Sequence, residues 1–429
     1  TVTKLKSILT NIGLAVVAFV ILYIPLEIVW RNMLTVFPVV LHEQLGRLSP
    51  LAQIGKESVV PEDYTLIIGD SYAEGLGDWF MQRVNDGNPV YNAGHVLHEI
   101  SGDDVISFGY RGGFPSYVIP YQTTKDFDGM NKYMGFDIKQ PQRVVAFFYE
   151  GNDFADELAA LHRSGISLDQ TQDAAFLKGH LQGGAEAGAK AAGKRWNFFR
   201  NAHLIDTTSK LSKLMIKNLS GDGGTTAFAP DDRWIRSYTS IDEYRENWER
   251  YEVSSVTMRL AGAVGKYPEE TVEPIAFHTP EEVTGIANVF QASMEYLRDY
   301  FPDAEMWVVY IPSPINAYEF VSDSVMISDL QHDGVKEVRA GPQPFRVADV
   351  MAKSDFACRA IEQASTAAGV KFIDTRPALR VISARDGYLH GPNDAGHFNE
   401  RGYRSLAKIV HDAVGGKIAA PCNISGAAQ

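Results

Sequence analysis

A serine placed directly after an apolar run, and a histidine near the carboxyl terminus with an aspartate three residues before it, are the residue types that nucleophilic catalysis needs. Ser71 follows Tyr64–Ile68 (YTLII) in the stretch IIGDSYAEG, and Asp394-Ala395-Gly396-His397 precedes an apolar helical pattern over Glu400–Val414. A serine hydroxyl becomes a nucleophile when an imidazole takes its proton and a carboxylate orients that imidazole. Such a reaction also needs donors for the developing oxyanion. Asn152, after the run Arg143–Tyr149 (RVVAFFY), offers a side-chain amide, and the backbone N–H groups of Gly94 and Ser71 offer two more. The competing reading of both motifs is helix capping: Asp70 or Ser71 with Glu74 three residues on, and Asp394 or Asn399 before the last helix.

These residues require elements that place them together. Runs apolar at both parities suit strands covered on both faces of a parallel sheet. Five are expected: Tyr64–Ile68, Pro89–Tyr91, Arg143–Tyr149, Met306–Ile311 and Val370–Ile373. Helical patterns over Glu282–Tyr300, Val347–Ala368 and Glu400–Val414 separate or follow them. Alternation of this kind predicts an α/β fold, in which ligands bind outside the carboxyl ends of the strands.

Four motifs in order then carry a resemblance. Gly69-Asp70-Ser71, Asn92-Ala93-Gly94, Glu150-Gly151-Asn152-Asp153 and Asp394-Ala395-Gly396-His397 resemble the four blocks of the SGNH (GDSL-type) hydrolase superfamily. The resemblance covers about residues 64–153 and 282–414. It implies a flavodoxin-like three-layer sandwich with a mostly parallel sheet of about five strands. It also implies Ser71 as nucleophile, His397 as general base and then acid, and Asp394 as the orienting carboxylate. Ser71, Gly94 and Asn152 then form the oxyanion hole. Tyr72 stands where the family usually has Leu, and Glu150 where it usually has Gly. Asp70, Tyr72, Glu150, His95 and His390 are the further pocket candidates; Glu150 contacts a sugar hydroxyl or pairs with a nearby Arg. His95 and His98 lack a matching ligand set, so neither a metal nor a cofactor is expected.

Composition frames this site. The 429 residues carry 40 basic against 53 acidic side chains, a formal charge of −13, which leaves no basic excess for a nucleic-acid partner. Two cysteines, Cys358 and Cys422, exclude a disulfide scaffold. Ile8–Trp30 reads as a transmembrane helix, long for a signal peptide and without a small-residue cleavage site after it. Lys4 and Lys6 before it favour a cytoplasmic amino terminus and a periplasmic catalytic domain, making a single-pass inner-membrane protein. Glu27 is expected at headgroup level.

The expected organisation is a tip at 1–7, a span at 8–30, and a juxtamembrane or docking segment at 31–60. The first catalytic part covers 61–153, a large and mainly helical insertion 154–281, the second catalytic part 282–415, and a tail 416–429. Within the insertion, Gly183–Gly193 (GGAEAGAKAAG) reads as a linker or lid, followed by a basic piece with Lys210, Lys213 and Lys217. Trp234, Tyr238, Tyr244, Trp248 and Tyr251 read as helix packing rather than a polysaccharide-binding strip. Asn218 and Asn423 begin glycan-acceptor sequons. The function expected is an ester hydrolase or O-acyltransferase acting on short acyl esters of an envelope glycan. The lipid bilayer is one partner, and residues 8–41 are the surface for any membrane protein partner. The alternative is an accessory subunit of a membrane complex.

Overall fold

The computed structural model describes residues 2–85, 89–194, 204–205, 207–210, 212–213, 257–266, 274–332, 337–391, 394, 396–417 and 422–424. Lys217, the sequon at Asn218 and the aromatics Trp234–Tyr251 lie outside the described residues.

Five parallel strands form the central sheet: β1 (Thr65–Gly69), β2 (Val105–Gly109), β3 (Arg143–Tyr149), β6 (Glu305–Ile311) and β10 (Lys371–Asp374). Their order across the sheet is β10-β6-β3-β1-β2. Odd and even positions serve different cores, because successive side chains in a strand face opposite ways. Ile67, Val145, Phe147 and Val309 join Val96, Tyr403, Leu406 and Val410 on one face. Leu66, Ile68, Phe148 and Val308 join Ile286, Phe290 and Ile361 on the other. Helices therefore cover both faces, and the both-parity apolar runs have this cause.

One expected strand is absent. Pro89–Tyr91 is a loop whose Pro89 carbonyl accepts from Trp79 Nε1 at 2.7 Å. The second strand is Val105–Gly109, which carries a serine in mid-run. Its polar groups are met locally. Ser107 Oγ donates to the Ala73 carbonyl, and the Gln53 side chain both accepts from Ser107 N–H (2.7 Å) and donates to Ser107 C=O (3.0 Å). Gln53 thus covers an open sheet edge.

The helices that position the site are α2 (Ser71–Glu74), α4 (Ala93–Ser101), α5 (Asp153–Arg163) and α10 (Glu400–Val414), with α3 (Asp78–Asn85) between the first two. The expected linker at 183–193 is instead the second half of α6 (Ala174–Lys194). Its small residues permit close helix contact: a Cβ on Gly188 would meet the Tyr121 carbonyl oxygen at 2.5 Å. The insertion is also not purely helical. A hairpin of β4 (Thr257–Leu260) and β5 (Ala263–Lys266) pairs with β7 (Glu319–Phe320). The long helix α7 (Pro280–Tyr300) precedes β6, and between β7 and the long helix α8 (Val347–Ala367) the chain adds a second hairpin, β8 (Ser324–His332) with β9 (Glu337–Arg346). This hairpin had no clear signal, since Pro344 and Gly341 interrupt its second strand.

Cys358 in α8 is disulfide-bonded to Cys422, which ties the carboxyl-terminal segment to the domain. There Ile424 N–H donates to the buried Asp355 carboxylate at 2.8 Å.

Among the described residues one helix, α1 (Val2–Asn32), is long and apolar enough to cross a membrane. Its window Leu9–Asn32 has mean hydropathy 2.5 and none of that window is buried. The base of α1 is fastened to the domain. Arg31 donates to the Met134 carbonyl and lies 4.0 Å over the Phe136 ring. Glu27 accepts from Tyr23 Oη (2.6 Å) and from the Leu204 N–H (3.0 Å), so its carboxylate is held by this chain itself. The segment after α1 is equally committed: Leu34, Val39, Leu45, Leu48 and Leu51 are buried in the domain's two cores. Of the run Met33–Leu41, Met33 and Val36 remain exposed.

Candidate functional site

Three of the predicted residues meet at the carboxyl ends of the central strands. Ser71 Oγ lies 2.9 Å from His397 Nε2, and His397 Nδ1 lies 2.7 Å from Asp394 Oδ2. They come from opposite ends of the chain, 326 residues apart for Ser71 and His397.

The local sequence explains the geometry. Gly69 has φ +153° and ends β1 where a Cβ would press on Phe147 at 3.0 Å. Asp70, not Ser71, caps the following turn: its Oδ1 accepts from the Tyr72 N–H at 2.9 Å. The capping reading of the motif is therefore met by Asp70, and the serine hydroxyl is left for the imidazole. Glu74 does not close a capping box, because its carboxylate is paired with the Arg111 guanidinium, Nε at 3.1 Å. The same division occurs at the other end. Asn399 caps α10 by accepting from Gly402 N–H at 3.0 Å. Asp394 stays outside the helix, with Oδ1 on the Gly396 N–H (3.0 Å) and its own N–H donated to the buried Asp78 carboxylate (3.2 Å).

Burial and charge set the proton affinities. Burial lowers the tendency of His397 to protonate, but the Asp394 carboxylate, and then Asp70 and Glu74, raise its pKa above the ordinary imidazole value. Burial works to raise the Asp394 pKa as well, and His397 overcomes it, holding the carboxyl below its ordinary value. Both shifts favour an ion pair once the imidazole has taken a proton. Asp70 is pushed up to about 6, by burial first, and its Oδ2 lies 3.2 Å from Ser71 Oγ, a longer second acceptor for the one hydroxyl proton that faces His397 at 2.9 Å.

Aromatic rings enclose the group. The Tyr72 ring lies 4.3 Å from Tyr149 and 5.2 Å from His397, centroid to centroid. Both phenols donate to the Gly396 carbonyl, at 2.9 Å from Tyr72 and 3.3 Å from Tyr149. The loop carrying the imidazole is thereby stitched to the turn carrying the serine. Ser71 is 3% exposed while the His397 side chain is 18% exposed, so the imidazole edge is the open side.

The remaining candidates divide. Asn152 stands at the N-cap of α5, yet its side chain takes no capping bond and its Oδ1 is buried without a partner. His390 lies behind the site, 1% exposed, with Nδ1 2.8 Å from Tyr318 Oη and its ring 4.8 Å from Phe398. Burial drives its pKa down to about 3, with the neighbouring His397 adding to the shift.

Three expectations need correction. Glu150 does not face a substrate. It is fully buried, accepting from the Asn316 amide (3.1 Å) and the Ser313 N–H (3.2 Å), in the field of Arg376. Arg376 itself is fully buried against Asp374 (2.8 Å) and Asp355 (3.2 Å). The direct partners of Glu150 thus include Ser313 and Asn316, and Arg376 acts on it through its charge rather than as the expected salt bridge. His95 packs on Trp79 and is surrounded by His42 and His98, not by the Ser71–His397 pair. Gly94 is seated against Val105, at the amino end of β2. Val105 lies four residues, or about 13 Å at 3.3 Å each, from Gly109, which is level with Gly69 in the sheet.

Gly109 is the glycine that touches the serine's turn. A Cβ there would lie 1.9 Å from the Glu74 nitrogen. The sequence alone hides this contact, because Pro89–Tyr91 reads there as the second strand. The signal was present, as Gly109-Tyr110-Arg111-Gly112-Gly113 directly follows an apolar run.

Among the described residues one set could offer three metal-ligating atoms, Cys358, Asp374 and Cys422, and its two sulfurs are already joined to each other. No known protein family, curated protein or solved structure matches this chain.

Proposed function

We propose that this chain is a membrane-anchored serine esterase or O-acyltransferase of the SGNH type, with a flavodoxin-like sheet. The strand order supports the fold: counted along the chain, the five parallel strands lie 2-1-3-4-5, with Ser71 after the first, where the order reverses. The observation that carries the activity is the continuous hydrogen-bond chain Ser71–His397–Asp394.

The reaction follows from that geometry. Ser71 Oγ attacks an ester carbonyl carbon as His397 Nε2 takes the hydroxyl proton. Asp394 fixes the ring so that Nδ1 carries its proton and Nε2 presents its lone pair, and it stabilises the imidazolium that forms. The Ser71 N–H and the Asn152 side-chain amide are the proposed donors to the oxyanion. Losing one such donor typically costs on the order of 10²–10³ in rate. Collapse of the tetrahedral species returns the proton to the departing alkoxide and leaves an acyl-serine. Water or another hydroxyl, activated by His397, then takes the acyl group. Water gives the esterase and a sugar hydroxyl gives the transferase.

Acyl esters of an envelope glycan are the proposed substrates, and the periplasm is the proposed location of the domain. The bilayer remains the proposed partner through α1. The test is hydrolysis of 4-nitrophenyl acetate and of O-acetylated polysaccharide by the purified protein in detergent. Activity that disappears in Ser71→Ala supports the proposal. Activity that survives in Ser71→Ala overturns the assignment of the nucleophile.

A further inference from the structure

Directly after β2 the chain lays four aromatic rings in a row. Tyr117 has Tyr110 and Phe114 each at 5.6 Å and Tyr121 at 4.8 Å, the last stacked on it with planes 23° apart. Lys125 Nζ lies 5.9 Å from the Tyr110 ring and 5.5 Å from that of Tyr121. Residues 117, 121 and 125 recur at four, which places them on one face of the helical turns that run on from Pro115–Tyr117.

These rings are not core. Tyr110 is 40% exposed, and Phe114, Tyr117 and Tyr121 are partly exposed, whereas Phe80, Phe148 and Phe154 inside the domain are sealed. A contiguous strip of half-open aromatics forgoes burial that a core ring obtains, and such strips mark binding surfaces.

The strip is also rigidly joined to the serine's turn. Tyr110 N–H donates to the Gly69 carbonyl at 3.0 Å, two residues before Ser71. Arg111, the next residue, holds Glu74 of α2. The base of α1 lies at the other end. Arg31, at the base of α1, holds Met134 and Phe136, and the chain returns from there past Lys139, which contacts Tyr64 at the start of β1. The helical turns from Pro115 to Tyr133 therefore run from the carboxyl ends of the strands back towards the anchor, and the aromatic strip occupies their distal part. That position disfavours a headgroup-level aromatic belt.

We propose that Tyr110, Phe114, Tyr117 and Tyr121 form a sugar-binding subsite, stacking on pyranose faces of a polysaccharide chain whose acyl ester reaches Ser71. A tyrosine suits this task because it presents a flat apolar face with a hydroxyl at its tip. The proposal rests on the serine-ester reading for its second half, delivery to Ser71. The stacking itself can be judged separately.

The experiment uses the full chain in detergent micelles, with partially O-acetylated xylan, alginate and glucomannan as polysaccharide probes. The variants are Tyr110→Ala/Tyr117→Ala and the conservative Tyr117→Phe, with folding followed by circular dichroism. Two readouts are taken. First, the ratio of kcat/KM on polysaccharide to kcat/KM on 4-nitrophenyl acetate should fall at least tenfold in the alanine pair, through KM, and be largely kept in Tyr117→Phe. Second, in affinity gels Ser71→Ala should be retarded by at least one of the three polysaccharides, and adding the alanine pair should abolish that retardation. An unchanged ratio, or no retardation by any of the three, overturns the subsite. Loss of aryl-ester hydrolysis in the wild type alongside retained retardation instead removes the esterase reading and leaves the subsite standing.

Discussion

The two ends of the central sheet are built from different materials. At the amino ends the contacts are those of an anchor: Arg31 on Phe136, Tyr64 on the Lys139 carbonyl, and a buried leucine series from Leu34 to Leu51. At the carboxyl ends titratable groups gather in low dielectric, with Ser71, His397, Asp394, Asp70 and Asp153 within one small volume. A strand of five to seven residues separates them, roughly 20 Å at 3.3 Å per residue. The lesson is that the helix base and the candidate site are held by different kinds of contact. Apolar burial, which needs no exact orientation, holds one end. Charge-assisted hydrogen bonds, which do, hold the other.

Substitutions can break this division, and the largest effect belongs at the carboxyl end. Ser71→Ala should lower kcat on 4-nitrophenyl acetate by on the order of 10⁴–10⁶ while leaving the melting temperature close to that of the wild type. Asp394→Asn follows at about 10⁴. It also tests the electrostatics, through the pH profile of kcat/KM. His397 must be neutral to accept the serine proton, so activity falls as pH drops through its pKa. Because Asp394 contributes to raising that pKa, the acid limb of the wild type should lie above about 6.5, the value of a free imidazole. Removing the charge should move the limb to lower pH. A limb that stays put contradicts the pairing.

The buried Arg376 cluster also stands at the carboxyl ends, directly after β10. Arg376→Met leaves Asp374 and Asp355 buried without their cation, and should cost about 3–5 kcal/mol in chemical denaturation, without a matching change in kcat for the molecules that remain folded. At the amino end, Leu34→Ala should cost about 2–5 kcal/mol for a fully buried leucine, again without altering kcat. Smallest of all is Arg31→Ala. It should leave kcat/KM on the soluble aryl ester within about twofold, the change expected when no group that touches the reaction is removed.

The buried neutral histidines should each carry a pH-dependent share of the stability. Burial drives His95 and His390 down to about 3. Below about 6.5 the unfolded chain protonates at these positions and the folded one does not. At these two positions the unfolded state then binds more protons, so their contribution to stability falls as pH drops from about 6.5 towards 3, and it opposes that of the buried carboxyls Asp70, Glu150 and Glu157, which burial raises to about 6 to 7. Denaturant titrations at several pH values across that window check this, and His390→Gln should flatten part of the slope.

The sequence carried the site more fully than the scaffold. Ser71, His397 and Asp394 were legible because each follows or precedes an element with strong periodicity, and Asp70 and Asn399 take the capping roles beside them. Strands β1, β3, β6 and β10 were legible because sheet burial on both faces writes itself as continuous apolar runs. β2 was not, since its polar Ser107 is satisfied by Gln53 and Ala73, partners that only the fold brings near. The helix over 183–193 was hidden for a related reason. Its glycines weaken helix propensity, and the close contact at Tyr121 that suits them is tertiary. Glu150 misled in the same way, because the Arg376 cluster that absorbs it is assembled from residues more than 150 positions away.

The central claim is that Ser71 is a nucleophile activated by His397, and one measurement reaches it most directly. The intact protein is treated with a fluorophosphonate probe and the modified peptide is identified by mass spectrometry, in the wild type and in His397→Ala. The account predicts a single adduct on Ser71, and labelling at least a hundredfold slower in His397→Ala. A folded protein that takes up no probe at Ser71, or that labels equally fast without His397, contradicts it.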